Sequence, residues 1–251
     1  TNFDLHPVRF LSKAEKNGQD ILAFSYHGML HTMIPGQAPK PLDIGIQTQD
    51  VGNNEVRLSI DGDISSMALS PDGKQIAYIS NGEVFVSSND GAFTKQITHT
   101  ASQENFVTFS PKGDYLVYAA QRDSKWSIYK ATKARLEEPF FYAATIIKEE
   151  VLVSNNADNY QPIVSPDGEK LAFIEDRRSL KILDLKTKQT RVLVTPQNML
   201  HMRDGDQTFS FSPDSEWVLF EYNKMIHNAD VAIVHVSGKE KMRVLIPSGY
   251  Y

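Results

Sequence analysis

Apolar and polar residues alternate over short stretches of this chain, and no stretch shows a long 3.6-residue period with helix caps. The alternation is organised around a phrase that recurs four times: Ser70-Pro71-Asp72-Gly73, Ser110-Pro111-Lys112-Gly113, Ser165-Pro166-Asp167-Gly168 and Ser212-Pro213-Asp214-Ser215. The residue before each serine is apolar (Leu69, Phe109, Val164, Phe211). The sixth after it is aliphatic (Ile76, Leu116, Leu171, Val218) and the eighth aromatic (Tyr78, Tyr118, Phe173, Phe220). Side chains alternate across a strand, so offsets six and eight share one face. The phrase itself is turn chemistry. Proline presets φ, aspartate suits the next position, and glycine supplies the positive φ that closes a hairpin. Ser215 breaks the pattern, and because a left-handed non-glycine residue costs ~1 kcal/mol, the fourth copy is expected to use a different turn.

The copies stand 40, 55 and 47 residues apart, close to the ~40–50 residues of one blade of a β-propeller. A weaker copy lies upstream, with strand residues Val8-Arg9-Phe10-Leu11, the turn Asn17-Gly18, and Ile21-Leu22-Ala23-Phe24. Two further strands follow in each repeat. The third strands are placed at 29–33, 83–86, 127–130, 180–183 and 231–236, and the fourth at 41–44, 95–98, 150–154, 191–194 and 242–246. The expected fold is all-β: a β-propeller of four-stranded antiparallel blades, about five in this chain, with blades near 1–46, 47–100, 101–155, 156–196 and 197–251. A β-sandwich built from similar hairpins is the competing architecture. Because the chain stops just after a fourth strand, it is expected to be an excerpt of a six- or seven-bladed ring in a longer polypeptide.

Repeated Ser-Pro-Asp-Gly turns followed by an aliphatic-x-aromatic strand resemble the repeats of TolB-like and tricorn-type propellers. Three further segments sharpen the likeness: Glu138-Pro139-Phe140-Phe141-Tyr142-Ala143-Ala144-Thr145, the stretch from Asp204-Gly205-Asp206-Gln207 into the fourth turn, and Asn228-Ala229-Asp230-Val231-Ala232-Ile233. They look like the propeller region of bacterial tricorn-type serine peptidases, over most of the chain. The resemblance implies a noncatalytic module that gates, docks or channels peptides, with a PDZ module and a serine peptidase domain elsewhere in the parent. It also implies a periplasmic or cell-envelope location. It carries no catalytic residue onto this chain, because the matched positions are all in the propeller. The alternative is a stand-alone TolB-like periplasmic propeller that binds a protein or peptide.

Composition narrows the function further. The 251 residues carry a net charge of −5 and no long basic stretch, which argues against nucleic-acid binding. Zero cysteine removes disulfides, thiolate zinc sites and cysteine nucleophiles. The longest charge-free apolar run, 139–147, is too short for membrane insertion as a helix. Residues 1–4 begin no signal-peptide pattern. No Gly-x-Ser-x-Gly elbow, His-Glu-x-x-His or phosphate-cradling loop occurs. The chain is therefore expected to be no enzyme and to hold no cofactor or metal.

His27 and His31 would share a strand face but lack a third ligand. His201, Asp204 and Asp206, like Asn155, Asn156, Asp158 and Asn159, are oxygen-rich without the spacing of a calcium loop. Lys130, Lys133 and Arg135 form a small basic cluster. The candidate contacts for a peptide, a protein or other domains of the same polypeptide are of three kinds. Arg177 and Arg178 suit a carboxylate. Phe140, Phe141 and Tyr142 cannot all face one side of a strand, so at least one is exposed or covered by a neighbour. Asn105, Tyr160 and Gln207, with Ser65, stand five residues before each repeat serine, at the entry of the inner strands.

Overall fold

The structure, a computed structural model, describes residues 8–26, 29–44, 62–135, 137–198, 208–225 and 228–246. Among them are five four-stranded sheets, each a meander of consecutive antiparallel strands. The first holds β1 (Arg9–Lys16), β2 (Gln19–Tyr26), β3 (Met29–Met33) and β4 (Lys40–Pro41). The second holds β5 (Ile64–Leu69), β6 (Gln75–Ser80), β7 (Glu83–Ser88) and β8 (Thr94–Gln96). The third holds β9 (Gln103–Phe109), β10 (Tyr115–Arg122), β11 (Lys125–Lys133) and β12 (Ile147–Val153). The fourth holds β13 (Asn159–Val164), β14 (Lys170–Glu175), β15 (Ser179–Asp184) and β16 (Thr190–Val194). The fifth holds β17 (Phe209–Phe211), β18 (Trp217–Met225), β19 (Asn228–His235) and β20 (Arg243–Ile246). The all-β propeller architecture expected from the repeat is the one observed. Most third strands run longer than the alternation marks; β11 starts at Lys125 and ends at Lys133, because its pairing with β10 continues to both ends of that strand.

The chain divides into two compact units, Thr1–Leu58 and Ser59–Tyr251. In the first, β1 is exposed throughout, and Phe24 is a buried apolar residue. Its ring stacks on His31 at 5.7 Å. His31 is thus a packed core residue, and His27 lies outside the described residues.

In the second unit the repeat offsets explain the core. Leu116 and Tyr118 face the second sheet in a cluster with Ala77, Ile79, Val84 and Val86. Leu171 and Phe173 pack on Val117, Ile128 and Val153 of the third sheet. Val218 and Phe220 pack on Ala172, Ile174, Leu180 and Ile182 of the fourth. Residues six and eight after Ser110, Ser165 and Ser212 therefore face the preceding sheet, while Val117 and Ala172, each between such a pair, face the following one. Ile76 and Tyr78 are only half-buried because β5–β8 is the first sheet of its unit. For the same reason Met67 and Leu69 on β5 are exposed.

The recurring turns are held by more than proline and glycine. The Ser70 hydroxyl is buried, accepts from Gln75 N at 2.9 Å and donates to Asp72 Oδ1 at 2.6 Å; Asp72 Oδ1 also accepts from Lys74 N at 3.1 Å. The Ser70 hydroxyl, then the Lys74 amide, hold the Asp72 carboxyl below its ordinary range. In the second copy, where Lys112 replaces the aspartate, Asp114 takes its place and accepts from Ser110 Oγ at 2.6 Å. The same loop recurs in the β7–β8 hairpin, where Ser88 bonds Asp90 and Gly91 N donates to Ser88 O at 2.9 Å.

Ser215 does not change the turn, contrary to expectation. Its N–H donates to Ser212 O at 2.9 Å, as Gly73 does to Ser70, and it takes the left-handed conformation at φ 63°. Its buried Oγ accepts from Asp167 N at 3.0 Å, in the turn of the preceding sheet. That bond contributes about 0.5–1.5 kcal/mol and offsets the strain. Gly73 and Gly168 sit at φ +71° and +77°, with open space where a Cβ would stand, so valine at either position is expected to cost ~1–3 kcal/mol through backbone strain alone. Thermal unfolding of both variants checks this, and unchanged stability in both would contradict the turn assignment.

Candidate functional site

The two ends of the second unit differ. The Ser-Pro turns occupy one end, and the inner strands begin at the other. At that second end the inner strands are irregular. The β9–β10 register shifts around Phe106, and the β13–β14 register shifts around Gln161. Both residues are left-handed, at φ 59° and 50°. Such bulges re-aim side chains and cost roughly 1–3 kcal/mol each. The hairpins alongside add four more left-handed residues: Asp123 and Ser124 between β10 and β11, and Asp176 and Arg177 between β14 and β15.

These bends bring an aromatic group together on the seam between the third and fourth sheets. Tyr160 is the centre. Trp126 lies 5.5 Å from it ring to ring, Phe106 meets it edge-on at 6.3 Å, and the Arg177 guanidinium sits 5.3 Å from its ring centroid. All three rings are half-buried and Arg177 is exposed. Behind them a polar lattice sets the geometry. Trp126 N donates to Asp158 Oδ1 at 3.0 Å, and Asp158 N to Asp176 Oδ1 at 2.9 Å. Fully buried Asn159 reaches Trp126 O with its Nδ2 at 3.2 Å. Burial first, then the Asp158 charge, raise the Tyr160 phenol above its ordinary range, so it stays a neutral donor. The group offers flat amphipathic rings, a hydroxyl and a fixed cation, which suits contact with a chain segment.

Of the residues singled out by sequence, Tyr160 and Arg177 meet here. Arg178 is exposed beside them, and half-buried Asn105 precedes Phe106 and accepts from its N–H at 2.9 Å. Gln207, His201, Asp204 and Asp206 lie outside the described residues. The loop at 155–159 is held by an Asx turn, Ala157 N donating to Asn155 Oδ1 at 2.9 Å. Trp126 and Phe106 are not singled out by the sequence pattern. The signal available for Phe106 was a large apolar residue directly beside Asn105 and Val107, out of phase with the alternation.

The aromatics of the insertion lie at the opposite end and do not join this group. They dock on the neighbouring second sheet as well as on their own. Phe141, in the 3-10 turn Phe141–Ala143, is fully buried, and its N–H donates to Gln75 Oε1 at 2.7 Å. Phe141 is therefore a core residue in this fold, with no surface for a partner. Phe140, Tyr142 and Phe93 form a stack at 5.0 and 6.1 Å on the outside. The basic cluster is structural: Lys130 pairs with Glu150 at 3.2 Å, Lys133 Nζ donates to Pro139 O at 2.8 Å, and Arg135 lies 3.9 Å from Glu138. A groove of about 200 Å³ between the fourth and fifth sheets is lined by Lys170, Asp184, Arg191 and Ser237, but Arg191 is held by Ser237 O at 3.3 Å and Lys170 by Asp167 at 3.1 Å. Among the described residues no group of three or more His, Cys, Asp or Glu is placed to hold a metal ion. Among them also, no helix is long and apolar enough to cross a membrane.

No curated protein matches the chain. Among solved structures, TolB from Acinetobacter baumannii is similar with a TM-score of 0.55 at 17% identity, over 92% of this chain and 52% of that one. The tricorn protease gives 0.51 at 15% identity, over 97% of this chain and 22% of that one. An oligogalacturonate lyase in complex with manganese gives 0.54 at 13% identity, over 86% and 54%. At these identities the likeness extends to the fold alone. The chain thus spans about half the length of that TolB and under a quarter of the tricorn protease. The sequence profile of the TolB beta propeller domain matches residues 38–251, most of the chain and every copy of the Ser-Pro phrase, and the chain accordingly belongs to that family.

Proposed function

We propose that this chain is a noncatalytic propeller module that holds a protein or peptide segment against the end of the second unit where the inner strands begin. The observation that carries the reading is the convergence of Phe106, Trp126, Tyr160 and Arg177 on one seam at the expense of left-handed backbone. Trp, Tyr and Arg are the side chains that dominate binding energy at protein interfaces; the two aromatics bury large area with little loss of conformational freedom, and Arg adds directed hydrogen bonds to carboxylates and carbonyls. Arg177 and Arg178 provide cations for a peptide carboxylate or backbone carbonyls. The setting in this reading is a tricorn-like peptidase in the cell envelope, with the module gating or docking peptides for a distant active site. The match to the TolB beta propeller domain favours a second setting, a stand-alone periplasmic binding propeller.

The test is a peptide-display selection against the chain, followed by affinity measurements. Trp126→Ala and Tyr160→Ala are each expected to weaken the selected peptides about 10- to 100-fold, while Val151→Ala on the outer strand β12 leaves them unchanged. Equal affinity for the wild type and both aromatic variants would place binding elsewhere and overturn the proposal. No turnover of casein by the chain is expected.

A further inference from the structure

On the other face of β9, toward the second sheet, lies a buried charge cluster that the binding site does not use. Glu104, the second residue of β9, has a wholly enclosed side chain. Its Oε1 accepts from Thr100 Oγ1 at 2.9 Å, and its Oε2 has no partner. Arg122, at the end of β10, lies between two carboxylates. Its Nη2 is 2.6 Å from Glu149 Oε1 on β12 and 3.8 Å from Glu104 Oε1, and its buried Nε is unpartnered. The guanidinium rests 4.0 Å above the Tyr129 ring of β11. The Tyr118 hydroxyl of β10 is buried nearby without a hydrogen bond of good geometry. From β7, Glu83 is already committed, to Thr98 Oγ1 and to Thr100 N at 2.9 Å. His99, in the same loop as Thr100, is exposed.

Two carboxylates thus share one guanidinium, with a third, Glu83, close by. We propose that this seam carries a proton-operated latch, in which Arg122 holds Glu149 while Glu104 is protonated and shifts to Glu104 when that carboxyl ionises. The second position needs a slide of only about 1 Å across the Tyr129 face to reach hydrogen-bond distance. It brings an Arg122 donor to the ionised carboxyl, which otherwise has only the Thr100 hydroxyl on Oε1 and nothing on Oε2. Glu149, whose side chain is 29% exposed, is released to water, whereas an ionised and unpartnered Glu104 would have no such recourse. Burial first, then the Glu83 and Glu149 charges, push the Glu104 carboxyl up to about 7, against the help of Thr100 and Arg122. The folded chain therefore keeps a proton on Glu104 between the ordinary carboxyl range and about pH 7, where the unfolded chain has lost it. Stability contributed by this group is full below that window and is lost as pH rises through it.

Thermal unfolding of the chain tests the latch. Between about pH 5 and about pH 8.5 the Glu104 share of the change in the wild type is a fall in Tm of about 3–6 °C. Glu104→Gln, neutral at every pH, is expected to remove that share and flatten the profile. Glu149→Gln is expected to lower Tm at the acid pH and to have no effect at the alkaline one, because Arg122 has left it. Where Glu104→Gln does not fold, the Glu149→Gln comparison decides alone. A wild-type profile reproduced by Glu104→Gln, or an equal effect of Glu149→Gln at both pH values, would overturn the proposal.

Discussion

Replacing Phe173 by alanine is expected to lower the unfolding free energy by about 3–5 kcal/mol. The ring is fully buried and packs among Val117, Ile128, Val153, Leu171 and Leu183 in the seam of the third and fourth sheets. Both walls of that seam are β-sheet, so neither can collapse into the space left by the ring, and the cavity cost adds to the transfer cost. Tyr78 occupies the same repeat position on the first sheet of its unit and is half-buried, stacked on Phe85 at 5.7 Å. Tyr78→Ala is expected to cost less than half as much, since the hydrophobic gain scales with area removed from water. Urea unfolding of the two variants checks the ratio. Equal losses would mean that the repeat aromatics are not ordered by which sheet they face.

Phe141→Ala is the second large effect, again about 3–5 kcal/mol. Phe141 closes the insertion onto the second sheet, edge-on to Phe109 at 6.2 Å and below the Lys133 ammonium at 5.0 Å. Gln75, 2% exposed, takes its backbone N–H, so the strap is fixed by one ring and one buried hydrogen bond. Phe140→Ala, in the half-buried outer stack, is expected to cost under about 1 kcal/mol. If Phe140→Ala proves the more damaging of the two, the insertion is not held as described.

The legibility of this chain follows the range of the interactions involved. The strand faces were readable because a period of two is local: Leu116 and Tyr118 declare a common face whatever stands opposite. The turn was readable for the same reason, although the role of its serine was not, since Ser70 Oγ reaches Gln75 N, five residues on, only when the hairpin has closed. The insertion was visible as extra length with three adjacent aromatics, but its landing place on Gln75, 66 residues away in sequence, was not. Tyr160 was legible from its place five residues before a repeat serine and Arg177 from its residue type, while Trp126 and Phe106 joined them only through bulges and left-handed hairpins that carry no sequence signature.

The amino-acid order alone settles that this is a run of hairpins with aromatic stripes, because backbone geometry and side-chain alternation are dictated by near neighbours. Which seam each stripe enters, which rings gather around Tyr160, and how two carboxylates come to share Arg122 are properties of packed sheets. Those groups come from strands far apart in the chain, and their energies exist only once water has been excluded between the sheets.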